Sequence, residues 1–261
     1  MAEAVPVFTT PSPLVRKVEL DRPWSWLAAG WRDLRAAPQV SLAYGVLLAA
    51  AGYAITFGLW WADLVYLILP MVCGFLIVGP LLAVGLYEVS RRLEAGEPVS
   101  LKAAVMAWQR NGGQIGLMGI VLLLLLFAWI RLAALLFMLF FGLEPPSFPN
   151  LFAETFLSAD ALPFLIVGTA IGAVLAALAF AISATSIPLL LDRPEASVFT
   201  AIATSVSGVK ENPTTMAFWA VLIVGFVGAG LITLYLGLIV TLPLIGHATW
   251  HAYRDLVAHA S

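Results

Sequence analysis

Long apolar runs alternate with short amphipathic or charged stretches along the chain. A helix of about 20 apolar residues is long enough to cross the hydrocarbon core of a bilayer. The runs therefore predict an all-α integral membrane protein with six transmembrane helices in a single domain, 24–257, preceded by an extended tail, 1–23. The predicted spans cover residues 39–61, 64–89, 114–142, 161–191, 214–233 and 235–256.

Short amphipathic segments precede three of these spans. Within 24–35, the apolar residues Trp24, Leu27, Trp31 and Leu34 recur at helical spacing and predict one apolar stripe. A basic, tryptophan-rich helix of this kind suits the membrane–water interface. Two further short helices are predicted over 100–110 and 195–209.

A degenerate internal repeat organises these elements. Each amphipathic segment leads through a basic residue and a helix breaker into a span. The three junctions read Arg35-Ala36-Ala37-Pro38, Arg110-Asn111-Gly112-Gly113 and Lys210-Glu211-Asn212-Pro213. Prolines that could break the second helix of each hairpin recur at Pro80, Pro188 and Pro243. The pattern predicts three repeats, each an interfacial helix plus a helical hairpin.

The charge distribution supports six spans and limits the class of protein. Apolar residues make up 62% of the 261 residues and charged residues 11%, which excludes a soluble globular domain. With six spans, every Lys and Arg except Arg131 lies on one side, which the positive-inside rule assigns to the cytoplasm. We therefore expect both termini to be cytoplasmic. The net charge of −2 argues against a nucleic-acid partner.

The histidines lie close together near the end of the chain. His247 and His251 are one helical turn apart and share a face, and Asp255 follows one turn later. These three residues are candidate ligands for a metal ion or haem. The alternative is an interfacial belt that includes Arg254. No cofactor is predicted, because a closed site needs more ligands than this face offers.

Arg131 is the only basic residue within a predicted span. Charges inside a membrane are often functional, so a buried functional role is one interpretation. The other is an anchor at the outer interface, where Arg131 extends toward the headgroups beside Trp129. There it could pair with Asp160 or Glu154.

Glu88 lies three and four residues before Arg91 and Arg92, a spacing that predicts local ion pairs. The alternative interpretation is a polar gate, in which Glu88 faces His251, its counterpart in the third repeat.

The remaining motifs favour packing over catalysis. Gly168-x-x-x-Gly172 predicts a close approach between helices. A single cysteine, Cys73, excludes an internal disulfide framework. The sequence contains no phosphate-binding loop, nucleophile elbow or zinc-protease motif, so we expect no enzymatic activity.

Three stretches, 79–94, 186–192 and 246–256, resemble the predicted bacterial integral membrane proteins grouped as domain of unknown function 2189. The resemblance extends over about 24–257 and implies a bacterial inner (plasma) membrane as the location. It implies no established activity. Some members of this family are labelled cytochrome c oxidase subunit I. Such a subunit needs histidine ligands in several spans, whereas the histidines here occur only at His247, His251 and His259. A catalytic oxidase subunit is therefore excluded.

Three functions remain open at this point. The first is a non-enzymatic accessory, assembly or scaffolding protein of another membrane complex, such as a respiratory oxidase. The second is a transporter or channel built from the repeats. The third is metal or haem handling through His247 and His251. The expected partners are the lipid bilayer and either another membrane protein or a second copy of this chain.

Overall fold

The computed structural model describes residues 15–142, 156–158 and 161–258. These residues form an all-helical structure, in which the only β-type pairing is an isolated bridge between Val15 and Val257. The helices are α1 (Arg22–Ala36), α2 (Pro38–Trp61), α3 (Ile68–Leu82), α4 (Val84–Glu94), α5 (Leu101–Val105), α6 (Gly112–Phe141), α7 (Ala161–Ser183), α8 (Ser186–Asp192), α9 (Val198–Glu211), α10 (Pro213–Ile232) and α11 (Leu238–Leu256). Short 3-10 turns occupy Val65–Leu67 and Ala107–Asn111.

Five helical stretches are long and apolar enough to cross a membrane. They are Pro38–Trp61, Val65–Glu94, Ala107–Phe141, Ala161–Asp192 and Pro213–Ile232, and they agree with the first five predicted spans. The sixth predicted span forms a helix, α11, which is not among the five. Its second half carries His247, His251 and Arg254, which lower its hydropathy below that of a typical span.

The bundle has two unlike ends. Helices α1, α4, α5, α8 and α9 and the second half of α11 lie together at what we define as the charged end. The opposite, apolar end contains the end of α2, the start of α3, the end of α6 and the turn between α10 and α11. Residues 15–18, predicted as part of an extended tail, bond at the charged end to Asn212 and Leu256.

Three corners with the same backbone conformation connect the charged end to the spans. Ala37, Asn111 and Asn212 precede α2, α6 and α10, with φ/ψ angles of −130/56°, −146/57° and −130/52°. Each corner lies at the junction that the sequence marks with a basic residue and a breaker. The junctions therefore share a shape as well as a sequence pattern.

The four residues of the predicted apolar stripe of α1 divide between two environments. Leu27 and Leu34 are buried against protein, whereas Trp24 and Trp31 are 56% and 42% exposed. The face that α1 turns toward α11 contains Gly30, whose position lies so close to the backbone of Ala248 and Leu244 that a Cβ atom would clash. Close approach of two helix backbones selects a small residue for that face and leaves the large indoles outside.

The three predicted proline breaks have different outcomes in the structure. Helices α3 and α4 separate at Ala83, three residues after Pro80. Helices α7 and α8 separate at Ala184 and Thr185, and Pro188 then lies in the first turn of α8, where its missing N–H costs least. Helix α11 continues through Pro243 without a break.

Candidate functional site

A buried chain of polar side chains joins four helices at the charged end. His247 of α11 is fully buried, and its Nε2 and Nδ1 atoms each lie 2.9 Å from a serine hydroxyl, that of Ser41 on α2 and that of Ser90 on α4. Ser90 donates to Asp33 of α1 over 2.6 Å. His251 Nε2 lies 2.8 Å from the same Asp33 oxygen. We refer to these five residues as the Asp33–His247 network.

The hydrogen bonds of this network have one consistent direction. Because Ser90 donates to the Asp33 carboxylate, its oxygen is left to accept the Nδ1–H of His247. Nε2 of His247 must then accept the hydroxyl proton of Ser41. Burial alone would raise the pKa of Asp33, but the hydrogen bonds from His251 and Ser90 outweigh it and lower that pKa, so the carboxyl stays ionised.

The predicted metal ligands do not converge. Both ring nitrogens of His247 are engaged by hydroxyl groups, which leaves neither nitrogen for a metal ion. Asp255 points elsewhere, to the guanidinium of Arg22 at 2.7 Å and the indole N–H of Trp26 at 2.9 Å. Within residues 15–142, 156–158 and 161–258, no three His, Cys, Asp or Glu side chains are placed to hold a metal ion.

Glu88 makes the ion pairs that its spacing predicts. Its carboxylate is 2% exposed and lies 2.8 Å from Arg91 Nε and 2.7 Å from Arg92 Nε. Arg110, from the second junction, approaches to 3.9 Å. Arg91 also binds the carboxylate of Glu97. The alternative interpretation was a gate in which Glu88 faces His251. The geometry does not show this contact, because His251 bonds to Asp33 instead.

Arg254 links three helices at the same end. Its guanidinium lies 2.7 Å from Glu94 on α4 and 3.3 Å from Asp192 on α8. Trp250 and Tyr253 donate to the same two carboxylates. The predicted belt residue Arg254 is therefore part of an internal cross-link.

Arg131 is exposed on α6, close to the apolar end. The neighbouring Trp129 donates its indole N–H to the carbonyl of Pro70, in the first turn of α3, which places this part of α6 at the far end of the bundle from Glu88. No ion pair joins Arg131 to another residue in the described part of the chain. The proposed partners Asp160 and Glu154 lie outside the described residues, as does His259.

An apolar groove of about 440 Å³ opens between α3, α6 and α7 at the apolar end. Helix α7 contributes a stripe of small side chains to it: Gly168, Thr169, Gly172, Ala173 and Ala176. Only 6% of the most apolar window of α7 is buried, against 17–28% for the other four spans. Of the two glycines in the predicted small-residue motif, only Gly172 makes a close contact, with the Trp129 ring. Gly168 faces open space.

A second cavity, of about 90 Å³, lies among α3, α7, α10 and α11. Residues from α3, α7 and α11 line it, including Pro80, Ser183 and Gly246, and Trp219 of α10 lines it as well. The hydroxyl groups of Ser183 and Thr249 donate to carbonyls of their own helices, so the cavity is lined mainly by apolar atoms.

Three members of the Asp33–His247 network were not predicted from the sequence. Asp33, Ser41 and Ser90 bond to partners between 57 and 218 residues away along the chain. No local spacing indicates such pairs. By contrast, the ion pairs of Glu88 with Arg91 and Arg92 are local, and the spacing of these residues in the sequence predicts them.

The comparison with known families confirms the resemblance seen in the sequence. A family model described as a predicted integral membrane protein (DUF2189) matches residues 68–192. The matched region contains two of the three resembling stretches, 79–94 and 186–192, whereas the third, 246–256, lies outside it. The comparisons with curated proteins and with solved structures found no match.

Proposed function

We propose that this predicted integral membrane protein is a non-enzymatic scaffold that holds a transmembrane helix of another membrane protein against α7. The observation that carries the proposal is the exposure of α7: its small-residue stripe borders an apolar groove, and only 6% of its most apolar window is covered. Small residues let a second helix backbone approach closely, and close packing drives helix association in membranes.

The shape of the groove favours a helix as the occupant. The lining residues of α7 and α3 each follow one face of a helix, over 168–176 and 69–77. Eight residues span two helical turns, or about 12 Å. Trp129 and Phe137 of α6 form the base. These stripes outline a channel about two helical turns long, into which an apolar helix with its own small residues would fit.

The charged end supports this proposal by holding α4 and α8, which follow the groove helices α3 and α7 in the chain. Ion pairs and hydrogen bonds join α4, α8 and α11 at that end. In the Ser–His–Asp chain of the same region, Ser41 and His247 are fully buried, which favours a binding role over a catalytic one. A binding role explains the exposed stripe of α7 and the open groove, which a catalytic role leaves unexplained.

For the topology, we propose six crossings with both termini on the cytoplasmic side of a bacterial inner membrane. Helix α11 runs back alongside α2 from the apolar end, where Tyr53 bonds to Leu234, to the charged end, where Ser41 bonds to His247. Nearly all Lys and Arg residues would then lie on the cytoplasmic side. A scan of introduced cysteines over 228–240 should find a short segment accessible only from outside; an inaccessible scan with a C-terminus labelled from outside would argue against six crossings.

We also propose that the three repeats form a ring. The corners Ala37, Asn111 and Asn212 share one backbone conformation. The interfacial helices pack on the hairpins in cyclic order: α1 on α11, α5 on α4, and α9 on α8. Each interfacial helix thus covers the second helix of the preceding repeat.

The scaffold proposal is tested by purification from native membranes in mild detergent, followed by mass spectrometry of co-eluting proteins. Gly168→Leu places a side chain in the open groove, and Gly58→Leu is the matched control, since a Cβ at either glycine meets nothing within 4 Å. We expect a stoichiometric membrane partner that Gly168→Leu removes and Gly58→Leu retains. A respiratory oxidase is the first complex to look for. Elution without a partner, or equal retention by both variants, would refute the proposal.

A transporter is the second candidate, because parts of all three repeats meet at the 90 Å³ cavity. Flux of ions or small metabolites into liposomes, blocked by Gly79→Leu, would favour transport. Gly79 lines the cavity and has open space for a side chain. Absence of flux would favour the scaffold.

A further inference from the structure

Helices α1 and α9 present the same kind of face to the outside. On α1 the exposed residues Trp24, Ala28, Trp31 and Arg35 follow one stripe at helical spacing. On α9 the corresponding stripe begins at Phe199 and ends at Lys210. In each helix an exposed aromatic residue occupies the first turn and an exposed cation the last. We refer to these two faces as the outer stripes.

The two cations occupy the same place in the fold. Arg35 lies two residues before the corner Ala37, and Lys210 lies two residues before the corner Asn212. The spans α2 and α10 begin at the next residue in each case. Both charges therefore lie within about one helical turn of a membrane span, at the depth of lipid headgroups.

The cations of the outer stripes form no ion pair with a carboxylate in the described part of the chain. Arg22, Arg91, Arg92, Arg110 and Arg254 all pair with carboxylates at the charged end. In the part of the chain that the structure describes, no ion pair involves Arg35 or Lys210. The guanidinium of Arg35 lies over the Trp31 ring, with its carbon 5.7 Å from the ring centroid.

We propose that each outer stripe binds the headgroup of an anionic phospholipid, with Arg35 or Lys210 on the phosphate and the aromatic residue against the acyl chains. The charge is complementary to anionic lipid, and the apolar members of each stripe match the boundary between headgroup and acyl chain. An acidic protein would leave these apolar members without a partner. This lipid binding is independent of the scaffold function, because α7 contributes nothing to either stripe.

The test is native mass spectrometry of the purified full chain from micelles containing equal amounts of phosphatidylglycerol and phosphatidylcholine. The double variant Arg35→Gln with Lys210→Gln should lose its preference for phosphatidylglycerol by about tenfold or more, since each cation near an anionic surface contributes roughly fivefold. The matched control is Arg16→Gln with Lys17→Gln, which removes two exposed cations outside the outer stripes. It should stay within about twofold of the parent.

A charge-conserving variant separates lipid binding from damage to the fold. Arg35→Lys with Lys210→Arg keeps both charges and should retain the preference. The proposal is overturned if the glutamine variant keeps as much phosphatidylglycerol as the parent, or if it loses both lipids equally. An equal loss in the stripe variant and in the control would also overturn it, since binding would then follow net charge rather than these two positions.

Discussion

The charged end and the apolar end of the bundle differ in how their tryptophans pack. In a soluble protein, large apolar side chains are buried away from charged groups, whereas here the buried indoles lie at the charged end and exposed indoles lie at the apolar end. At the charged end, among polar neighbours, Trp250 and Trp26 are almost fully buried. At the apolar end, Trp60 and Trp61 are 56% and 89% exposed. Lipid tails are as apolar as these side chains, so burying them against protein brings little gain inside a membrane. Where water reaches the molecule, burial is favourable, so the indoles between helices at the charged end are tightly packed, whereas Trp24 and Trp31 on the outer stripe remain exposed.

The two ends also differ in what joins their helices. Charged side chains link separate elements at the charged end, as Arg254 does between Glu94 and Asp192. At the apolar end, the described residues are joined by neutral hydrogen bonds, such as that from Trp129 to a backbone carbonyl, and they border the 440 Å³ groove. The charged end is thus cross-linked by ion pairs, whereas the apolar end presents an open groove on the membrane-embedded surface.

Removal of one indole at each end should give the largest difference in stability between the two ends. Trp250→Ala should lower the free energy of unfolding by about 3–5 kcal/mol, because it leaves a cavity in a packed core and removes a partner of Glu94. Trp61→Ala, at an exposed position, should cost less than about 0.5 kcal/mol. Unfolding of both variants in detergent, followed by tryptophan fluorescence, measures the two losses. Equal losses would show that the ends are packed alike.

Added methyl groups give a smaller effect in the same direction. Gly30→Ala places a Cβ 2.6 Å from the backbone nitrogen of Ala248, so α1 must move away from α11 at a cost of about 1–3 kcal/mol. Gly168→Ala meets nothing within 4 Å and should change stability little or even increase it, since alanine favours helix. Thermal unfolding in detergent compares the pair. An unaffected Gly30→Ala variant would contradict the close contact between α1 and α11.

The smallest effect is a pH dependence carried by Asp33. Its pKa in the folded protein is lowered, so the ionised carboxyl stabilises the fold above the pKa of the unfolded chain. This contribution is lost as the pH falls through the folded value, below about pH 4. The stability difference between the parent and Asp33→Asn should therefore shrink on acidification from pH 7 to pH 3. A difference that is constant with pH would show that Asp33 does not stabilise the fold through its charge.

Much of the secondary structure follows from the sequence pattern. The apolar runs predict five of the spans to within a few residues, and the junction at Lys210 predicts the end of α9. The faces of α1 were harder to predict. Trp24 and Leu27 are both apolar, and a hydrophobic stripe cannot show which of its members meets protein and which meets lipid. Only the small residue Gly30 marks the protein-facing side.

The candidate site was less predictable for a physical reason. Glu88 and Arg91 are neighbours on one helix, so their spacing indicates a pair. Asp33 and His251 meet only because α1 packs on α11, and a single sequence does not show which helices pack together. The Asp33–His247 network could be predicted only after the helices had been placed.

The packing of α1 on α11 also has a consequence for biogenesis. The ribosome makes α1 near the start of the chain and α11 near its end. Until residues 238–256 have been synthesised, Trp26 can pack on Trp219 of α10, but the close backbone contact of Gly30 with Leu244 and Ala248 cannot form. The charged end therefore closes only after α11 has been made. A ribosome that stalls before α11 would release a chain with a partly uncovered apolar face on α1, which a membrane quality-control protease could recognise.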